Sequence, residues 1–162
     1  MRMPRYSKHS SEQLSTATYN LQRLFKIVVA FYDNTIIQGW RSDAMQARLY
    51  KTGASKLIHG KHNEKPSQAV DSAPYLLRFG VPWPSMPKDW SNKEQVNRYI
   101  KNLNQFYHYA GFVQGVAANE GIEIRWGGDW DRDHDVTDQD FNDLVHFEEI
   151  LSNGDGEHST ET

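Results

Sequence analysis

The sequence predicts an α+β fold, and three observations carry that expectation. Stretches with helical spacing of apolar residues are interleaved with short β-like runs. The connections are long, polar and rich in proline. The order of elements is helix, strand, helix, strand, helix, strand, strand, and with loops this long it fits α+β better than a wound parallel sheet.

Residues 11–32, "SEQLSTATYNLQRLFKIVVAFY", place Leu14, Leu21, Leu24, Phe25, Val28 and Val29 at helical spacing. Asp33-Asn34 breaks the pattern. "TIIQGW" reads as a short strand, and "SDAMQARLYKTGAS" as a helix capped by Ser42 and ending near Gly53. Residues 55–68 are polar and loop-like. "QAVDSAP" reads as a strand closed by Pro74. The three prolines of "FGVPWPSMPKDW" make an irregular connection. Ser91 and Glu94 form a capping-box pattern that opens a long helix to about Asn119, ended by Gly121. "IEIRW" reads as a strand, "GGDWDRDHDVTDQD" as an acidic loop and "LVHFEEI" as a last strand. Residues 1–151 are expected to form one domain, and the polar residues 152–162 a disordered tail.

Composition narrows the function. Of the 162 residues, 38% are apolar and 24% charged, as in an ordinary globular protein. The net charge is -3 with Lys and Arg dispersed, which predicts no nucleic-acid surface. There is no cysteine, so disulfides, thiolate zinc sites and cysteine nucleophiles are excluded, and any zinc must sit on His and carboxylate ligands. The start "MRMPRYSKHSSEQ" has no apolar core of a secretory signal. The longest apolar run, "IVVAFY", is far too short for a membrane span. The expectation is a monomer made in the cytoplasm, without membrane insertion, that leaves only when another agent releases it.

The stretch "GKHNEKPSQAVDSAPY" sets His62 before a Pro-Ser turn and Asp71 in an apolar strand. A buried acid is costly unless something pairs with it. His146, in "DLVHFEEI", is flanked by Val145 and Phe147, whose side chains point away from its own. His62, Asp71 and His146 could share one buried surface as two histidines and a carboxylate, an accepted catalytic zinc set. The spacing alone equally allows a satisfied core histidine and a capping aspartate. His59 and His134 are the other candidate ligands, with His59 the main rival to His62, while His108 on a helix reads as a packed or surface residue. Asp143 stands three residues before His146, so both reach one site only if the chain bends at "NDL". A carboxylate there could act as a general acid/base in hydrolysis, or could simply cap the strand.

At these residues the chain resembles a family of zinc peptidases: D-alanyl-D-alanine carboxypeptidases and dipeptidases together with phage L-alanyl-D-glutamate endolysins, which share a fold with the hedgehog signalling domain. The resemblance spans roughly residues 6–151. It is carried by "GWRS", "GKHN…PSQAVDSAPY", "FYHYAGFVQGVA", "RWGGDWD" and "FNDLVHFEEI" in that order, which look like the phage branch in particular. It implies a small, mostly antiparallel sheet with packed helices. By motif, it implies zinc ligands at His62, Asp71 and His146, a catalytic acid/base at Asp143, and at Arg41 a cation that holds substrate and the developing oxyanion. Ser67 is a candidate substrate-binding hydroxyl. Two departures stand out: Gly60 replaces a frequent Ser, and the interval from His62 to Asp71 is longer than usual, with extra residues around "NEKP". The implied function is hydrolysis of L-Ala–D-Glu bonds in peptidoglycan stem peptides by a phage-type endolysin acting on the cell wall after release. A D-Ala-D-Ala carboxypeptidase or dipeptidase, and a non-catalytic metal-binding module, are the alternatives.

A second ion is suggested by "DWDRDHDVTDQD". Read as a calcium loop, its ligand positions fall on Asp129, Asp131, Asp133, Asp135, Thr137 and Asp140. His134 takes the place of the turn glycine, and histidine tolerates positive φ better than most residues. Without a cation, the alternating acids repel one another.

Overall fold

The computed structural model describes residues 4–151, and the tail expected at 152–162 lies outside the described residues. The elements are α1 (Lys8–Ser15), α2 (Tyr19–Phe31), β1 (Asn34–Gln38), α3 (Asp43–Lys51), a 3₁₀ turn (Lys61–Asn63), β2 (Ala69–Pro74), α4 (Lys93–Asn119), β3 (Ile124–Gly127) and β4 (Asp143–Glu149). The strands form one sheet in the order β1-β2-β4-β3. Every neighbouring pair is antiparallel. This is the α+β architecture the sequence predicted.

Two elements differ from the sequence reading. The single helix expected over 11–32 is two helices. Thr16 turns its hydroxyl back to the Gln13 carbonyl at 2.6 Å, a local bond that competes with helix continuation. Ala17 then forms a parallel bridge with Ser67, through Thr18 N–H to the Ser67 carbonyl and Ser67 N–H to the Thr16 carbonyl, both at 2.9 Å. The cap of α4 is Asn92 rather than Ser91: its side-chain oxygen accepts from the N–H groups of Glu94 and Gln95 at 3.1 Å. Ser91 instead donates to the carboxylate of Asp89.

Alternation along the strands separates two faces. Val70 of β2 and Phe147 of β4 point into the core. There they meet Leu21, Leu24, Phe25 and Val28 of α2, and Tyr109, Ala110 and Val113 of α4, all fully buried. Phe147 packs edge-on against Phe25 and Tyr109, with centroids 5.6 and 6.0 Å apart. Ser72, on the same side as Val70, shares a 2.6 Å hydrogen bond with the Tyr109 hydroxyl. The opposite face carries Asp71, His146 and Glu148.

The bend demanded at "NDL" is a large bulge. Trp126 pairs with Phe147, but the next residue of β3, Gly127, pairs with Asp143, so one step on β3 spans Leu144, Val145 and His146 on β4. The Trp126 indole N–H holds the looped-out chain by donating to the Leu144 carbonyl at 2.9 Å. Gly127 is required because a Cβ there would overlap the Asp143 carbonyl oxygen. Gly115, on the exposed side of α4, has open space around a Cβ. Gly127→Ala is therefore expected to lose roughly 1–3 kcal/mol through overpacking. Gly115→Ala is expected to gain about 0.5–1 kcal/mol. Urea unfolding checks both, and a neutral Gly127→Ala would contradict the close approach.

Candidate metal centre and active site

Three elements deliver three ligand atoms to one point. Asp71 and His146 are direct cross-strand partners on β2 and β4. His62 comes from the 3₁₀ turn, which is fixed on both sides: its carbonyl accepts from Arg41 N–H at 2.8 Å, and Asn63 donates to the Arg41 carbonyl at 2.9 Å. His62 Nε2 lies 3.0 Å from Asp71 Oδ1 and 3.3 Å from His146 Nδ1. His146 Nδ1 lies 3.4 Å from Asp71 Oδ1. A tetrahedral zinc ion with ligand bonds of about 2.0–2.1 Å sets its ligand atoms about 3.3–3.4 Å apart. The three residues fit such an ion, and as a buried group they could hold a metal.

The atoms behind the ligands fix their orientation, as metal-binding histidines require. His62 Nδ1–H donates to the Gly39 carbonyl at 2.7 Å. Gly39 reaches that position because it lies flat against the end of α1, where a Cβ would overlap the Gln13 carbonyl oxygen and the Thr16 hydroxyl. His146 Nε2–H donates to Glu148 at 3.0 Å. Glu148 is gripped in turn by Arg125, its cross-strand partner on β3, at 3.0 and 2.6 Å. The second oxygen of Asp71 accepts from Arg41 at 3.2 Å, and Arg41 also donates to Gln46 at 3.0 Å. In their neutral forms both imidazoles would thereby present a lone pair to the shared point.

The electrostatics are those of a cation site. Burial alone would raise the Asp71 carboxyl, but the charges and hydrogen bonds of His62 and His146 outweigh it and hold the group well below the usual carboxylate range. Burial alone would lower His146, yet hydrogen bonds to Asp71 and Glu148 push it up to about 9. That proton occupies the position a metal would take and must leave when one binds. Asp143 is raised, first by burial and then by the negative charge of Asp71, against the pull of His146, His62 and Arg41. All these groups line one cavity of about 660 Å³.

The other expected residues stand outside the ligand cluster, although His59 lines the same cavity. His59 is exposed beside Asp43 and Glu64, at 3.4 and 3.2 Å. His134 is exposed on the acidic loop, with φ of 72° at the turn position foreseen for it. His108 meets the Tyr32 hydroxyl at 3.1 Å. Ser67 is fully buried and spends its hydroxyl on the Ala69 carbonyl at 2.7 Å, away from the cavity, because it opens β2. Of the six residues of the acidic loop, Asp129, Asp131 and Asp133 converge. Asp135 instead accepts from Thr137 N–H and hydroxyl at 2.9 and 2.6 Å, and Asp140 is exposed.

Sequence reasoning missed Glu148, Arg125, Gln46 and Trp130. Glu148 had a readable signal: it sits two residues after His146, hence on the same strand face. Trp130 lies against His146 with centroids 5.4 Å apart and an interplanar angle of 32°. That contact depends on a long-range loop path that no local pattern reveals.

With this geometry in place, comparison with known proteins is decisive. A model of the phage L-alanyl-D-glutamate peptidases matches residues 2–150. The chain belongs to this family. The peptidase is 28% identical over 138 residues to the L-alanyl-D-glutamate peptidase of Escherichia phage T5, covering 83% of this chain and 88% of that one. Its fold is similar to the crystal structure of the Serratia marcescens L-Ala D-Glu endopeptidase ChiX, with a TM-score of 0.61, 21% identity and 91% of each chain covered. The matched branch is the L-alanyl-D-glutamate one rather than the D-Ala-D-Ala carboxypeptidases. Among the described residues, no helix is long and apolar enough to cross a membrane.

Proposed function

We propose that this peptidase is a zinc-dependent endopeptidase that hydrolyses the L-alanyl–D-glutamate bond of peptidoglycan stem peptides, as a phage-type endolysin reaching the cell wall after release. The observation that carries the proposal is the convergence of His62 Nε2, Asp71 Oδ1 and His146 Nδ1 in a cavity that also holds Asp143. Three protein ligands leave a fourth position open, the arrangement of catalytic rather than structural zinc. Bound there, zinc would polarise the scissile carbonyl and make water a better nucleophile.

The remaining work falls to the chain itself. Asp143 takes a proton from the attacking water and returns it to the leaving amine nitrogen as the amide bond breaks. Its position at the far end of the β4 bulge places it in the cavity with the ligands. Arg41 steadies Asp71 and offers its remaining donors to a substrate oxygen as negative charge develops. Its Nε is buried with no partner among the described residues. Glu148 and Arg125 keep His146 in the tautomer that binds metal through Nδ1.

Asp143→Asn is expected to retain one zinc per chain by elemental analysis and to lose roughly 100- to 10,000-fold in turnover on purified cell wall. Turnover near that of the parent would remove Asp143 from the reaction.

A second ion is favoured by one observation. Asp129 is buried, and its Oδ1 has no hydrogen-bond partner among the described residues. A buried, half-satisfied carboxylate is costly, and oxygens of Asp131 and Asp133 come close to it. We propose that these three carboxylates take a hard cation such as calcium, which prefers oxygen ligands. Trp130 lies between Asp129 and Asp131 in the chain and against His146 in space, so ordering this loop would steady the zinc site. Millimolar calcium is expected to raise the melting temperature of the zinc-loaded protein, and Asp131→Ala with Asp133→Ala to abolish that rise without loss of zinc. Calorimetry showing no calcium binding would refute the site.

A further inference from the structure

The cavity is lined by cations, and most of them already have partners. Arg41 pairs with Asp71 and Arg125 with Glu148. Lys61 donates to the Gln68 side-chain oxygen at 2.7 Å. Lys56 differs. Among the described residues its ammonium meets no carboxylate, and its recorded contact is the face of Phe141, 4.6 Å from the ring centroid. It is exposed, and it stands on the loop after α3 that forms one wall of the cavity.

Phe141, from the loop before β4, also lines the cavity. It stacks on Trp130 with centroids 6.2 Å apart and an interplanar angle of 22°, and Trp130 lies against His146 at 5.4 Å. Lys56 therefore stands at one end of an aromatic ladder whose other end is His146. An extended peptide spans about 3.3–3.6 Å per residue. The three steps of the ladder correspond to at most about five residues, the scale of a short peptide whose scissile bond sits at the metal.

From this we infer that Lys56 is a specificity-determining residue that binds a substrate carboxylate remote from the bond being cut. The inference rests on the stem-peptide reading given above. A cation held only by an aromatic face is readily exchanged for a carboxylate, which offers both charge and hydrogen-bond acceptors. An isolated, unpaired ammonium over the substrate path discriminates for anionic peptides and against their amides. In a stem peptide cut at the L-Ala–D-Glu bond, the remote carboxylate is the C-terminal one, because the α-carboxylate of a side-chain-linked D-Glu sits beside the scissile nitrogen.

The test is steady-state kinetics of the zinc-loaded protein on three synthetic tetrapeptides. One has both carboxylates free, one is amidated at the C-terminus, and one carries D-isoglutamine in place of D-Glu. The parent is expected to show a KM roughly 3- to 10-fold higher for the C-terminal amide than for the free acid, whereas a rise confined to the D-isoglutamine peptide overturns a remote carboxylate site. Lys56→Gln should show that higher KM on the free-acid peptide as well, so that its acid-to-amide ratio collapses toward one. Lys56→Arg should restore the discrimination. A ratio unchanged by Lys56→Gln overturns the role of Lys56 while leaving the peptidase reading intact. Failure of the parent to cleave any of the three peptides overturns both.

Discussion

The site depends on one cross-strand pair. Asp71 and His146 face each other on β2 and β4. Because strand side chains alternate, that register puts Val70 and Phe147 into the core behind them. A slip of one residue would turn both ligands into the helix layer and both core residues into the cavity. The packing of Phe147 against Phe25 and Tyr109 therefore also fixes the position of His146 in the cavity. Core and site are two faces of the same pairing.

Around that pair, each neighbouring element supplies one correction to ideal geometry. The bulge opposite Gly127 folds Asp143 back toward the ligands, which a regular strand would carry away. The close seat of Gly39 against α1 aims a carbonyl at His62. The pairing of Arg125 with Glu148 holds the outer nitrogen of His146. These features break regular secondary structure or bury charge, and each is compensated within the site: the bulge by the Trp126–Leu144 hydrogen bond, and the buried Glu148 by Arg125. Local irregularity concentrated at a functional centre is a common outcome of selection for geometry over stability.

Much of this was legible in the sequence. Periodicity located α2, α3, α4 and all four strands, because these elements bury one face and their apolar spacing says so. That Asp143 and His146 could share a site only through a bend followed from period-two alternation. Other features were not legible. Thr16–Thr18 reads as helix because its apolar neighbours keep the spacing, and only the distant partner Ser67 draws the chain out of it. Ser91 matches a cap pattern, but Asp89 competes for its hydroxyl. The acidic loop offers six ligand positions in sequence, yet hydrogen bonds within its second half divert Asp135 and Thr137. Contacts between distant segments decided each case, and a single sequence records them only weakly.

The central claim is that His62, Asp71 and His146 bind the catalytic zinc and leave one position open. The most direct test is a crystal structure of the zinc-loaded protein with anomalous diffraction measured at the zinc edge. The account predicts one strong anomalous peak within about 2.0–2.2 Å of His62 Nε2, Asp71 Oδ1 and His146 Nδ1, with a fourth, non-protein ligand. A peak at His59 or His134, or a shell lacking any of the three residues, would contradict it.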